Sequence, residues 1–139
     1  MKKHAFGGSV PPEYYTTRFR VVARPERWPA EFTIITACAP TGELWPLERS
    51  AAADRALARV LYEEGRWHHR ITGYDPLGDH AEPGWAIEQT VDEGISLAAR
   101  FDQLGLYVVQ GGELFVIMTA APDRLSPVAP FLDRLDDPH

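Results

Sequence analysis

Apolar and polar side chains alternate from Tyr14 to Val21, with Tyr15, Thr17, Phe19 and Val21 interleaved with Thr16, Arg18 and Arg20. A period of two predicts a half-buried strand. Pro25 and Pro29 then interrupt, predicting a loop over 23–30 with Trp28 folded back as a lid. The run Phe32-Thr33-Ile34-Ile35-Thr36-Ala37-Cys38 is apolar on both faces and β-branched in its middle, which predicts a central strand over 31–38. Between about residues 46 and 64, Ala53, Leu57, Val60 and Leu61 recur at helical spacing, and Gly65 is placed to stop that helix.

Alternation returns from Trp67 to Tyr74 as a strand, followed by a polar loop, Asp75–Pro83, and a short strand, Gly84–Gln89. Thr90 and Glu93 have the spacing of a capping box. The helix they open has Ile95, Leu97, Ala98, Phe101 and Leu104 on its inner face and Gly105 as its stop. Leu106–Gln110 and Glu113–Thr119 flank Gly111-Gly112, a two-residue turn demanding positive φ, and so predict a hairpin. Beyond Ala120 the prolines and acids predict a frayed tail with one short helix near 128–135.

The order β-β-α-β-β-α-β-β predicts an α+β single-domain sandwich: a mixed or antiparallel sheet with two main helices on one face and a core related to the ferredoxin-like arrangement. Residues 1–13 read as a flexible lead, 14–119 as the domain and 120–139 as a Pro-rich extension. A chain of 139 residues forms one domain with a core that needs no metal or disulfide staple. Cys38 stands alone, the N-terminus has no apolar leader segment, and no run of about 18 apolar residues occurs. The expectation is a cytoplasmic protein without membrane contact.

A net charge of −6 argues against a general nucleic-acid coat. The charge is uneven, with six basic against two acidic side chains in residues 1–30, and eight acidic against one basic in 75–113. A basic first strand lying near the acidic half accounts for this simply. Arg18, Arg20 and Arg24 beside Tyr14 and Tyr15 otherwise have the make-up of a single-strand nucleic-acid surface, though basic side chains also protect an edge strand.

Several strings resemble the small uncharacterised bacterial family known as domain of unknown function 3293. They are Tyr15 with its strand, Ile34-Ile35-Thr36-Ala37-Cys38-Ala39-Pro40, Gly73-Tyr74-Asp75, His80-Ala81-Glu82-Pro83-Gly84-Trp85-Ala86-Ile87-Glu88 and Arg100-Phe101-Asp102-Gln103. The resemblance spans most of 14–118, and its most specific feature is His-x-Glu-Pro-Gly-aromatic followed by Phe-x-Gln. It implies no activity, substrate or cofactor. The family pattern prefers an aromatic residue at Cys38, asparagine at Ala39 and further asparagines where this chain has Ser50-Ala51-Ala52-Ala53, so any function of those amides in relatives is lost or changed here.

The densest polar cluster is His68, His69, Asp75, Asp79, His80 and Glu82. Adjacent strand residues point to opposite faces, so at most one of His68 and His69 joins a site in the following loop. Histidine beside a carboxylate suits a divalent ion or an oriented general base, but no metal-ligand spacing is present, and the same pair can simply brace its own turn. A reactive Cys38 would need a neighbouring cation; otherwise it is a small apolar filler. Gln103 either bridges helix to sheet or binds ligand. Trp28, Trp45, Trp67 and Trp85 could stack bases or sugars, though four tryptophans on separate elements more often pack as core and lid. No phosphate loop or nucleophile elbow occurs.

The expected site is the 75–85 loop facing the end of the 31–38 strand, with His80, Glu82 and Cys38 as candidate catalytic groups and Gln103, His69, Trp85 and Asp79 as candidate ligand contacts. No metal or cofactor is expected. The leading function is binding of a small ligand or protein partner. The alternatives are a small hydrolase or metal-assisted enzyme built on His80 and Glu82, and nucleic-acid binding through Arg18, Arg20 and Arg24.

Overall fold

Two-sided burial puts the Phe32–Ile35 run in the middle of a seven-stranded antiparallel sheet. A computed structural model describes residues 9–38, 44–78 and 80–137. Its elements, in chain order, are a short helix α1 (Glu13–Thr16), β1 (Arg18–Arg20), β2 (Glu31–Thr36), α2 (Leu47–Glu64), β3 (His68–Tyr74), β4 (Ala81–Ile87), α3 (Val91–Arg100), β5 (Gly105–Gln110), β6 (Glu113–Met118), β7 (Ser126–Pro130) and a 3-10 turn, Phe131–Asp133. The strand order is β1-β3-β4-β2-β5-β6-β7, and every neighbouring pair is antiparallel. None of these helices is long and apolar enough to cross a membrane.

The sheet curls. Phe19 of β1 bridges in parallel to Leu135, beyond β7, with the Phe19 N–H donating to Arg134 O (2.8 Å) and the Asp136 N–H to Phe19 O (2.8 Å). Segments from opposite ends of the strand order therefore meet. The inner face packs Phe19, Phe32, Ile34, Ile71, Tyr107, Val116, Phe131 and Leu135 into one core. The outer face packs Ile35, Ile87, Leu106 and Val108 against Leu57 and Leu61 of α2 and Leu97 and Ala98 of α3, so both long helices lie on one side of the sheet. Close approach explains Gly94: a Cβ there would lie 2.7 Å from Thr33 Cγ2 on β2.

Both long helices, the Gly65 stop in a left-handed conformation (φ 68°), the Thr90–Glu93 capping box and the Gly111-Gly112 hairpin (φ 58° and 85°) agree with the sequence patterns. Four local expectations need correction. Residues 13–16 are helical rather than extended; Pro12 brings a φ already suited to a helical turn, Glu13 lies in its first turn, and the Thr17 hydroxyl donates to Glu13 O (2.8 Å). The loop expected at 75–83 is shorter because β4 begins at Ala81. Pro83 is tolerated there because it precedes Gly84, where the ladder to β2 starts, so that side needs no N–H from it.

The second long helix stops at Arg100, not Gly105: Asp102 takes positive φ (59°) and Gly105 already belongs to β5. The helix expected at 128–135 is a strand and a 3-10 turn. Pro127 and Pro130 disfavour a helix interior, while the otherwise unpaired outer edge of β6 takes the segment up as β7. Phe131 and Leu135 are then buried, so this stretch is part of the core.

Candidate functional site

The register of β2 against β4 places Thr36 opposite Gly84, so Thr36 and Glu82 lie on the same inner face at one end of the sheet. Gly84 is dictated by closeness: a Cβ on it would sit 2.6 Å from Ile35 O and 2.8 Å from Thr36 Cγ2. The Pro-Gly step thus lets β4 draw tight against β2 beside Glu82.

Gln103, buried just before β5, organises this end. Its Nε2 donates to Cys38 O (2.8 Å) and Phe101 O (3.1 Å), and its Oε1 accepts from the Thr36 hydroxyl (2.9 Å). Its backbone N–H donates to Ala98 O (2.9 Å), and its carbonyl accepts from the Thr119 hydroxyl (3.1 Å). Both amide hydrogens are used on main-chain carbonyls, so Gln103 ties the end of α3 to the segment following β2. Glu82 lies next to it, with Oε1 3.3 Å from the Thr36 hydroxyl and Oε2 2.6 Å from His80 Nε2. The Cys38 thiol is directed at Pro83 O (3.8 Å). Burial, followed by the carboxylates of Glu82 and Asp54, pushes that thiol up to about 11, with Arg70 opposing. This is the wrong direction for a nucleophile.

These groups open onto a cleft of about 1200 Å³. Phe19, Ile34, Ile71, Leu106 and Tyr107, each 8% exposed or less, close its floor; Leu44, Trp45 and Leu47 form a lip, with Leu44 and Leu47 almost fully exposed. The Tyr107 hydroxyl donates to Tyr14 O (2.7 Å), and burial raises its phenol well above the ordinary tyrosine range. On the helix side of the rim, Arg70 makes a two-pronged ion pair with Asp54 (2.9 and 2.8 Å) and lies over the Trp85 ring (3.9 Å), whose Nε1 donates to Asp54 (3.2 Å). Such a braced guanidinium is held in place on both its edge and its face.

Of the sequence candidates, His80, Glu82, Cys38 and Gln103 lie together at this end of the sheet. His69 does not join them. It lies near the other end of the sheet, stacked on Trp67 (6.1 Å), with Nε2 2.8 Å from Ala23 O. His68 points to the opposite face, edge-on to Trp85. Trp85 braces the Arg70–Asp54 pair and is not among the residues lining the cleft. Asp79, Ala39 and the rest of 39–43 lie outside the described residues. Among the described residues, no three His, Cys, Asp or Glu side chains are grouped to hold a metal ion. Thr36, Asp54 and Arg70 were not anticipated: threonine in a strand, and charges on the polar side of a helix or strand, look the same in sequence whether or not they border a cleft.

Two of the N-terminal arginines are engaged by the C-terminal segment rather than by the acidic 75–113 stretch. Arg18 pairs with Asp136 (2.9 Å), Arg24 with Asp137 (3.0 Å), and Arg20 lies over the Tyr74 ring (4.7 Å). Trp28 and Trp67 pack with Phe32, and Trp45 carries Arg49 on its face, so the tryptophans do not form one continuous stacking surface.

The family described as "Protein of unknown function (DUF3293)" matches residues 35–106, more than half of the chain, and the protein belongs to that family. The matched stretch runs from β2 into β5 and contains Thr36, Cys38, Asp54, Arg70, His80, Glu82 and Gln103. No curated protein and no solved structure matches the chain.

Proposed function

We propose that the protein binds a small ligand in the cleft at the Thr36–Glu82 end of its curled sheet. The observation that carries this reading is the lining: a floor closed by apolar core residues, an exposed apolar lip and a few polar groups gathered at one side, in a volume above the roughly 300–1,000 Å³ of most small-molecule sites. Leu44 and Leu47 leave an uncovered apolar lip that an occupant would shield from water. The order β3-β4-β2-β5, with α2 and α3 crossing on one face, favours kinship with the ferredoxin-like arrangement. A cytosolic setting, where the lone thiol stays reduced, completes the reading.

A second reading, a small enzyme, draws on His80 and Glu82 at 2.6 Å, a base with an orienting carboxylate at the mouth of a cleft. Binding is preferred because the His80 side chain is 72% exposed, so the pair stands in water at the mouth rather than enclosed with a bound molecule.

A thermal-shift screen of chemically diverse small molecules tests the proposal, run in parallel on Ala51→Trp, which places a bulky ring on the cleft wall from the exposed face of α2. Ligand at 100 times Kd stabilises by about 2.7 kcal/mol, several degrees in Tm for a domain of this size. Stabilisation that Ala51→Trp abolishes supports the cleft. A screen without hits, or hits indifferent to Ala51→Trp, overturns it.

A further inference from the structure

The hydrogen bonding of Glu82 and the charge of the cleft specify what an occupant must carry. The Thr36 hydroxyl has one proton and two neighbouring acceptors, Gln103 Oε1 at 2.9 Å and Glu82 Oε1 at 3.3 Å. Gln103 cannot turn its amide over, because Nε2 is held by two main-chain carbonyls that accept and never donate. Its Oε1 therefore needs the threonine proton, and the shorter distance agrees. Glu82 Oε2 has His80 as its partner, whereas Oε1 faces a hydroxyl whose proton is spent elsewhere. A half-buried carboxylate oxygen at the edge of an apolar cleft is thus short of a donor.

Charge decides which donor. Among the described residues lining the cleft, Glu13, Asp54, Asp75 and Glu82 are carboxylates, Arg70 is the one arginine, already committed through both outer nitrogens to Asp54, and His80 is held by Glu82 Oε2. An anion would find no uncommitted guanidinium there and several carboxylates to repel it. A cation is favoured by the same field, and a partly desolvated carboxylate binds an ammonium more strongly than it binds a hydroxyl. The exposed Leu44 and Leu47 lip, above a floor closed by core residues, in turn suits an apolar body behind the charge.

We propose that the cleft takes a ligand bearing a protonated amine on an apolar body, with the ammonium donating to Glu82 Oε1 and the body under the Leu44–Leu47 lip. This rests on the cleft being a ligand site, as proposed above. A free alkyl- or arylamine and a lysine side chain presented by a partner offer the same chemistry.

Calorimetric titration with n-hexylamine and 2-phenylethylamine, set against 1-hexanol and 2-phenylethanol, tests the charge requirement. A terminally blocked peptide with one lysine among apolar residues, with its norleucine counterpart, tests the second source. The expected result is binding of the amine or the lysine peptide at least about tenfold tighter than its neutral counterpart, a preference that Glu82→Gln erases while its thermal melt stays close to wild type. Free amines binding well points to a small-molecule source, and the peptide alone binding points to a protein source; either supports the ammonium. Equal binding of amines and alcohols, or a preference that survives Glu82→Gln, overturns it. If no amine binds but other ligands bind in an Ala51-dependent way, the ammonium inference falls and the cleft stands; if nothing binds there at all, both fall.

Discussion

The two ends of the curled sheet are built to opposite specifications from the same strands. At the end where β2 begins, Trp28 stacks on Phe32 (5.3 Å) and Phe131 stands edge-on to both rings (5.0 and 5.3 Å). Trp67 and His69 extend the cluster outward, and together the rings plug the interior. At the other end, the inward positions of β2, β3, β4 and β5 are Thr36, Gly73, Glu82 and Gly105, small or polar in every case. At Gly105 a Cβ would sit 3.0 Å from both the Tyr14 hydroxyl and Met118 Sδ, so a side chain there would have to push those two aside. The contrast teaches that the cleft is not a packing defect of a small domain. The inward positions of these strands carry rings at one end, Phe32 and His69, and none at the other.

The largest effect should come from opening the plugged end. Phe131→Ala removes a buried ring in contact with three others and leaves a cavity among them; the expected loss is about 3–5 kcal/mol by urea denaturation. Leu44→Ala, on the lip of the cleft and 98% exposed, should cost within about 0.5 kcal/mol. Similar losses for the two variants would end the distinction between a load of packing at one end and an open surface at the other.

The asymmetry was only half legible in the sequence. Periodicity revealed both long helices, the hairpin and the central strand, because each carries its signal within a few residues: Leu57 and Leu61 on one face, paired glycines at a turn, a capping box. The juxtaposition of His80, Glu82, Cys38 and Gln103 was also readable, since the order of elements brings the start of β4 beside the end of β2. What the sequence concealed depends on partners distant along the chain. Residues 126–130 form a strand because β6 has an edge to fill, and nothing within Ser126-Pro127-Val128-Ala129-Pro130 announces β6. Arg18 and Asp136 are 118 positions apart, and the sheet has to curl before either has a partner. Arg70 and Asp54, on different elements, become a bidentate pair only once α2 lies on the outer face.

A smaller effect is expected where the C-terminal segment latches onto β1 near the open end. Arg18 Nε donates to Asp136 Oδ1 (2.9 Å), and the Tyr74 hydroxyl donates to the other carboxylate oxygen. Burial works against ionisation of Asp136, but the Tyr74 hydroxyl and Arg18 outweigh it and hold the carboxyl below its ordinary range. A carboxyl lowered in the folded state stabilises fully above its unfolded value near pH 4, and that contribution disappears as pH falls through the lower folded value. Asp136→Asn should therefore cost about 1 kcal/mol at pH 7, modest because the pair is partly exposed, and should flatten the loss of stability between about pH 5 and 2. Parallel acid-unfolding curves for variant and wild type would show that the latch carries none of the acid sensitivity.

The smallest effect, on stability almost none, is the most informative about the open end. Cys38 sits where a cleft nucleophile would be useful, yet its thiol is pushed up to about 11, first by burial and then by the Glu82 and Asp54 carboxylates, with Arg70 pulling the other way. Alkylation of folded protein by iodoacetamide should therefore be slow at pH 8, where a free cysteine with a pKa near 8.5 is already partly thiolate, and should climb toward pH 11. Neutralising one of the raising carboxylates should shift the curve: Glu82→Gln moves the midpoint to lower pH, and Arg70→Met, which removes the opposing cation, moves it to higher pH. Such opposite displacements would establish that the thiol senses the same carboxylate to which the ligand's charge is assigned. Rapid alkylation at pH 7, unchanged in both variants, would mean that Cys38 does not share an electrostatic environment with Glu82.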